Sequence, residues 1–246
     1  MTALRPVLTL ALTGALLLSV AGCAPEPGTA GPSPKPSASA EPSTSPTPSE
    51  SPTPSTAPLP EWERFEHPEV GYTFEIPTGW TTRVTAQEID PSVPPVHTVS
   101  VVDRAGRVQL TFLDRLYGLG GANGEMYPYR VLDQAPVTVP ETLTENDFDT
   151  APEFVYRAVE YPSGVTASLG LSSVSAGPDS TTSFYYNMLR FPEGGISFAD
   201  SLQVSEYSAG DGNVRSFATM AEAEAFMLTD EYETLKRVLT SLAVRG

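Results

Sequence analysis

Few residues of this 246-residue chain could act as a general base or an activated nucleophile near neutral pH. Its only histidines are His67 and His97, and histidine is the usual proton acceptor in that pH range. His97 lies in an alternating segment beside Val99, where we expect a structural role. No Gly-x-Ser-x-Gly elbow occurs, and the two lysines, Lys35 and Lys236, lie in segments that offer no serine–lysine pair. The sequence therefore predicts no intrinsic catalysis.

A glycine-rich segment invites comparison with a dinucleotide-binding fingerprint. It contains Gly118, Gly120, Gly121 and Gly124. Asn123 stands where the third glycine of the fingerprint belongs, and the residues that follow do not begin a helix. We therefore predict a loop and no cofactor.

The densest acidic cluster contains Glu145, Asp147, Asp149 and Glu153. An EF-hand loop would need glycine at its sixth position, where this segment has Thr150. The spacing leaves a weak surface calcium site open but favours a solvated acidic loop, so no metal site is predicted. An enzyme that uses carboxylates would need Glu145 or Asp147 to converge with a partner in a cleft and to have a shifted pKa.

Cys23 has the most clearly defined chemistry in the chain. It is the only cysteine, which excludes an intramolecular disulfide and a cysteine-based zinc site. Val20, Ala21 and Gly22 precede it, and this tetrad resembles a lipobox, where bacterial export machinery attaches diacylglycerol to the thiol and cleaves just before it. We therefore expect Cys23 to carry a diacylglyceryl group of palmitate-like chains. Two acyl chains are enough for stable membrane anchoring.

The residues around Cys23 agree with export. Arg5 precedes an apolar run over residues 7–20, which is shorter than the roughly 20 residues that span a membrane, so residues 1–22 are expected to be a signal peptide. Pro, Ser and Thr make up about two thirds of residues 24–60. Such a segment cannot bury enough apolar surface to fold. Residues 23–60 are therefore expected to be the lipidated cysteine and a disordered tether on the extracytoplasmic face of the cell membrane.

Residues 61–246 are long enough for one globular domain, and that domain is acidic. Two of the 14 basic and three of the 30 acidic residues precede Glu61, so this part carries a net charge of about −15. An acidic surface repels phosphate backbones, which argues against nucleic acid as a partner. The charge itself is expected to serve solubility.

Several segments alternate apolar and polar residues with the period of a β-strand. The first contains Val70, Tyr72, Phe74 and Ile76. Residues 97–101 and 108–112 predict one hairpin, and residues 154–161 and 164–171 predict another. Residues 181–191 and 196–204 predict two further strands.

The C-terminal region has a helical period instead. Its apolar residues are spaced by three and four: Tyr232, Leu235, Val238, Leu239 and Leu242. Thr219, followed by Glu222, fits the capping box of a short preceding helix, and Thr229 can cap the main one. The pattern over residues 220–242 therefore predicts a long C-terminal helix. For the whole domain we predict an α+β class, with an antiparallel sheet that packs against helices.

Tyrosines are frequent in the middle of the domain: Tyr127, Tyr129, Tyr156, Tyr185 and Tyr186. With their hydroxyls outward they could line a recognition surface. Aromatic side chains also pack well on a sheet, and the pattern favours the core.

The segment from Gly71 to Trp80, with its turn at Pro77, Thr78 and Gly79, resembles the opening hairpin of PsbP-like domains, including LpqN/LpqT-type lipoproteins. Residues 232–242 resemble the closing helix of the same family. The resemblance implies an α/β/α sandwich that binds or scaffolds other molecules and is seldom an enzyme.

Taken together, these patterns predict a lipid-anchored, non-catalytic binding or scaffolding domain. The expected partner is a protein or a cell-envelope component. Two alternatives remain open at this point, a carrier that holds a small apolar ligand between sheet and helix, and a cell-envelope enzyme.

Overall fold

The computed structural model describes residues 61–116, 119–121, 124–139, 142, 148–192, 194–208 and 213–245. The chain divides into two compact units, residues 1–55 and 56–246, and the described residues all belong to the second. Across the described ranges, no helix has the length and apolar character needed to cross a membrane.

Antiparallel strands dominate the described part of the chain. The first eight are β1 (Trp62–Phe65), β2 (Tyr72–Pro77), β3 (Thr81–Gln87), β4 (Val96–Val102), β5 (Val108–Leu116), β6 (Tyr127–Pro136), β7 (Asp149–Tyr161) and β8 (Gly164–Val174). Seven shorter strands follow: β9 (Thr181–Thr182), β10 (Phe184–Tyr186), β11 (Leu189–Phe191), β12 (Gly194–Ala199), β13 (Gln203–Ser205), β14 (Arg215–Phe217) and β15 (Ala243–Val244). Two α-helices, α1 (Met220–Phe226) and α2 (Asp230–Thr240), lie between β14 and β15.

Within the described residues these strands form three sheets. The largest has the order β3-β4-β5-β12-β8-β7-β6-β9, with β11 beside β12 and β14 beside β8. A small sheet has the order β1-β2-β15, and β10 pairs with β13. Every pairing between these strands is antiparallel.

One face of the large sheet, which we call the inner face, carries the main apolar core. Successive side chains of a strand point to opposite faces, and Tyr156 of β7 and Leu169 of β8 belong to this core. The small sheet contributes Phe74, and α2 contributes Leu235 and Leu239, all almost fully buried. The helices therefore cover β7 and β8 by packing apolar side chains against them.

The opposite face, which we call the outer face, has a different covering. Val159 and Tyr161 of β7 form a second cluster there with Tyr185 of β10 and Val204 of β13. The strand pair β10–β13 thus covers the outer face of the large sheet at β7. Tyrosine hydroxyls and serine side chains replace much of the aliphatic surface that fills the inner face.

The predicted α+β class with a long C-terminal helix is wrong. Strands make up 53% and helices 14% of the described residues, and both helices are short. The two caps predicted for residues 220–242 are confirmed, because the side chains of Thr219 and Thr229 accept hydrogen bonds from the backbone N–H groups of Glu222 and Tyr232 and begin α1 and α2. The apolar spacing correctly identified a buried face, since Tyr232, Leu235 and Leu239 are buried, but it did not show where the helix ends.

The strand predictions have mixed outcomes. The two predicted hairpins are confirmed as β4–β5 and β7–β8. Residues 181–191 form three short strands, not one. Residues 196–204 are divided between β12 and β13, because the chain leaves β12 at Asp200, whose carboxylate turns inward.

Candidate functional site

A pocket of about 240 Å³ opens where β6 begins and β13 ends. We call it the acidic tyrosine pocket, and its principal residues are Glu125, Tyr127, Glu206 and Tyr207. Tyr127 is fixed by pairing with Thr182 of β9. Glu206 begins a short 3-10 turn directly after β13.

Two carboxylates converge on one phenol in this pocket. The Tyr127 hydroxyl lies 3.0 Å from Glu206 Oε2 and 3.3 Å from Glu125 Oε2. The two carboxylate oxygens are therefore at most about 6.3 Å apart. Among the described residues, neither glutamate forms an ion pair with a basic side chain.

The two carboxylates also affect the pKa of the Tyr127 hydroxyl. Burial, followed by the hydrogen bond and charge of Glu206 and the charge of Glu125, raises the pKa of Tyr127 to about 12. The phenol therefore stays protonated near neutral pH and supplies a neutral aromatic ring. A negative pair beside a neutral ring attracts a cation.

Tyr161 supplies a second, independent polar group. Its ring packs edge-on against that of Tyr127, with the centroids 4.9 Å apart. Its hydroxyl is buried and has no hydrogen-bond partner among the described residues. Burial and then the charge of Glu206 raise the pKa of Tyr161, which places this hydroxyl within the field of the same carboxylate. A buried polar group normally has a partner. Tyr161 does not line the pocket, so its unpaired hydroxyl belongs to the cluster that supports Tyr127 from behind.

The rim of the pocket is polar apart from one aromatic side chain. Tyr207 is 89% exposed, while Ser183, Gln203 and Ser205 line the remaining wall. Two carboxylates with two tyrosine rings are the groups that bind an ammonium or guanidinium head, through charge-assisted hydrogen bonds and cation–π contact.

A second charged cluster is buried at the end of β12. The carboxylate of Asp200 accepts hydrogen bonds from the Ser168 hydroxyl and the Leu169 N–H, and it lies 2.8 Å from Nη1 of Arg215. Burial raises the pKa of Asp200 to about 6 in spite of Arg215. Asn187 donates to the Ser168 hydroxyl. Because the structure already satisfies this carboxylate, the cluster has a structural role.

His97 also has structural partners. Its backbone N–H and its Nδ1 each lie 2.7 Å from a carboxylate oxygen of Asp114. Its Nε2 is buried without a hydrogen bond, and Glu69 Oε2 is 3.8 Å away. Among the described residues, no serine or cysteine forms a hydrogen bond with this ring, so the pair has no nucleophile in that part of the chain.

Several residues singled out by the sequence lie outside the described residues: Val20, Ala21, Gly22, Cys23, Gly118, Asn123, Glu145 and Asp147. The other members of the acidic cluster are described. Asp149 forms an ion pair with Arg190, and burial raises the pKa of Glu153. Across the described ranges, no group of three or more His, Cys, Asp and Glu could hold a metal ion.

The tyrosine predictions divide between the two interpretations. Tyr156 and Tyr185 are core residues, whereas Tyr127 is buried but also presents its hydroxyl to the acidic tyrosine pocket. Sequence reasoning missed Glu125 and Glu206, which are 81 positions apart. The only local indication of this site in the sequence was the alternating position of Glu125, Tyr127 and Tyr129.

Comparisons with known proteins do not assign the chain to a family. No protein-family model matches it, no curated protein matches it, and no solved structure matches it. The resemblance to PsbP-like domains stays a prediction.

Proposed function

We propose that this protein is a lipid-anchored, extracytoplasmic binding protein without catalysis, whose folded domain recognises a positively charged group of a protein or cell-envelope partner. The observation that carries this proposal is the convergence of Glu125 and Glu206 on the Tyr127 hydroxyl. Two carboxylates this close repel each other, and a cation between them relieves that repulsion. The acidic charge of the chain, −16 overall, also attracts basic partners over a distance.

The two alternatives gain less support. A carrier of an apolar ligand needs space between sheet and helices, but Tyr156, Phe226 and Tyr232 pack against one another there, with centroids 5.3 to 6.0 Å apart. An enzyme that uses carboxylates needs a reactive acid in a cleft. Asp200 has the shifted pKa, but it is fully buried and bonded to Arg215.

The binding proposal is tested with a charged and an uncharged form of one small probe. Nα-acetyl-lysine methylamide carries an ammonium group, and its Nε-acetylated form does not. Isothermal titration of the mature chain should give saturable binding for the first only. In the double variant Glu125→Gln, Glu206→Gln, two charge-assisted hydrogen bonds of about 1.5–3 kcal/mol are lost, so affinity should fall by at least about tenfold.

A matched control separates the pocket from the overall charge. The double variant Glu63→Gln, Glu88→Gln removes the same charge from two exposed positions and should bind the charged probe like the native protein. Equal loss in both double variants would mean that the probe follows net charge, and the pocket would then not be the site.

The anchor is tested separately, because it rests on the sequence around Cys23. Cys23→Ala removes the only thiol, so we expect metabolic labelling with a fatty acid to disappear while the folded domain still binds the charged probe. Uptake of labelled lipid by the alanine variant, or none by the native protein, would contradict the proposed anchor.

A further inference from the structure

A second depression, of about 400 Å³, lies beside the turn between β4 and β5 and shares no lining residue with the acidic tyrosine pocket. We call it the tryptophan groove. Trp80 forms part of its wall, Asp103, Arg107 and Gln109 come from the β4–β5 hairpin, and Glu231 and Thr234 come from α2. The tryptophan groove is therefore a separate site, and binding there does not depend on the proposed function.

The wall is held in place by the backbone around Gly79. The N–H of Trp80 bonds to the carbonyl of Pro77 at 2.9 Å, and Gly79 has a φ of +88°, which only glycine adopts readily. The guanidinium of Arg104 covers this turn and donates to the carbonyl of Thr78. Trp80 packs against the main core as well, so its indole has a fixed position.

The polar groups of the groove hold one another. Asp103 accepts hydrogen bonds from the backbone N–H of Arg107 and from the side chains of Arg107 and Gln109, at 2.8 to 2.9 Å. Chiefly through the backbone N–H of Arg107, these bonds lower the pKa of Asp103 to about 2. Asp103 is therefore an ionised, oriented acceptor.

This network continues into the domain. Arg215 donates to the Gln109 side-chain oxygen at 3.4 Å and to Glu231 at 3.0 Å, and its other nitrogen bonds to the buried Asp200. The donors and acceptors of the groove are thus connected to the end of β12. Such a site keeps its geometry when it is empty, which lowers the entropic cost of binding.

The charges of the groove are largely paired. Three acidic residues, Asp103, Asp230 and Glu231, lie with Arg104 and Arg107 on the lining, and Arg215 behind it is shared between Glu231 and the buried Asp200. The ion pair of Arg107 with Asp103 and that of Arg215 with Glu231 neutralise the groove internally. An ion gains little in such a place, whereas a neutral ligand rich in hydroxyl groups can use carboxylate, amide and guanidinium groups together.

We propose that the tryptophan groove binds a neutral sugar. One apolar face of a pyranose ring packs against Trp80, and its hydroxyls bond to the polar groups of the lining. These are the network of Asp103, Gln109 and Glu231 and the hydroxyl of Thr234 on α2. The ligand class is an uncharged oligosaccharide or a polysaccharide chain. A few placed polar groups beside an aromatic wall are the usual composition of a specific small-ligand site.

The chain offers its own reporter for the test. It has two tryptophans, and Trp62 is not part of the groove lining, since its ring stacks on Arg237. In the full chain with Trp62→Phe, all tryptophan fluorescence comes from Trp80. Cellopentaose, mannopentaose and chitopentaose are the probes, and at least one should give a saturable change in emission that calorimetry reproduces.

Two variants test the contacts. Trp80→Leu should weaken the binding measured by calorimetry by at least tenfold. Thr234→Val removes one hydroxyl from α2 without changing the volume, and it should weaken binding by a few fold even if Trp80→Leu does not fold. The variant Glu125→Gln, Glu206→Gln is the matched control and should bind the sugar normally.

Three results would overturn the proposal. The first is that none of the three sugars shows saturable binding by either method. The second is that the affinity is unchanged in both Trp80→Leu and Thr234→Val. The third is that a charged oligomer such as chitosan pentamer binds more tightly than its neutral counterpart. The last result would show that the groove is an ion site.

Discussion

The two faces of β8 show two different ways of burying a strand. Toward the inner face it presents Val165, Ala167, Leu169 and Leu171, which pack in the main core. Toward the outer face it presents Thr166, Ser168 and Ser172, which are equally buried. The inner face gains stability from apolar area, which needs no particular direction, whereas the outer face needs a partner for each polar group.

This difference separates stability from recognition. An apolar contact tolerates small shifts, but a buried hydrogen bond or charge does not. The acidic tyrosine pocket lies where the outer covering meets β6, and its two carboxylates have the Tyr127 hydroxyl between them and no basic side chain among the described residues. We therefore expect the inner face to determine how stable the domain is and the edge of the outer face to determine what it binds.

The largest expected effect comes from breaking the buried ion pair. Arg215→Met leaves the Asp200 carboxylate buried without its cation, and such changes cost about 3–5 kcal/mol of the free energy of unfolding. The measurement is denaturant unfolding of the mature chain. Arg83→Met, at an exposed position of β3, is the control and should stay within about 0.5 kcal/mol.

The cost of Arg215→Met should also depend on pH. Burial raises the pKa of Asp200 to about 6 in the native protein, so the stability linked to its protonation is fully present below the ordinary value of 3.8 and is lost as pH rises through about 6. Without Arg215 that pKa rises further. The variant should therefore lose more stability at pH 8 than at pH 5, and an equal loss would show that Asp200 does not titrate in this range.

Leu239→Ala tests the inner face. Leu239 is fully buried, and a buried leucine shortened to alanine costs about 2–5 kcal/mol. Leu228→Ala removes the same atoms from a residue that is 88% exposed and should have almost no effect. If both variants unfold at the same denaturant concentration as the native protein, α2 does not pack on the sheet as described.

Gly170→Ala adds a methyl group at a crowded point of β8, beside Ala199 of β12 and Asn187. A Cβ at Gly170 would lie 2.5 Å from the Cβ of Ala199 and 2.9 Å from the Cβ of Asn187. Overpacking of this kind costs about 1–3 kcal/mol. Gly71→Ala is the matched control, since no atom lies within 4 Å of its Cβ position; a similar loss there would show that the loss at Gly170 does not come from these contacts.

The smallest expected effect is that of Tyr161→Phe. The Tyr161 hydroxyl has no partner among the described residues, so its removal should leave thermal stability unchanged or slightly higher. Tyr185→Phe removes a hydroxyl that donates to the carbonyl of Arg157 at 3.3 Å and should cost about 0.5–1.5 kcal/mol. A larger loss for Tyr161→Phe than for Tyr185→Phe would contradict the assignment of the free hydroxyl.

The sequence predicted the hairpins well because their signals are local. The β4–β5 turn has Gly106 and the β7–β8 turn has Gly164, both with positive φ, and alternating apolar residues flank each turn. Strand β6 was missed because most of its residues are partly or fully exposed and do not alternate. The fold class was wrong for the same reason, since several short strands carry no strong period.

The candidate site was harder to predict, because its parts are distant in the chain. Glu206 meets Tyr127 only after β13 has paired with β10. The period of a strand shows which way Tyr127 points but not which residue lies opposite. The tyrosines could be singled out from sequence, but the carboxylates could not.

The small sheet has a consequence for the time at which the domain can fold. Its middle strand, β2, pairs with β1 on one side and with β15 on the other, so its neighbours come from opposite ends of the domain. The Ser241 hydroxyl, 166 positions away, accepts the backbone N–H of Glu75. Until Ala243 and Val244 have been synthesised, β2 has no β15 to pair with, so the small sheet can be completed only after these residues are made.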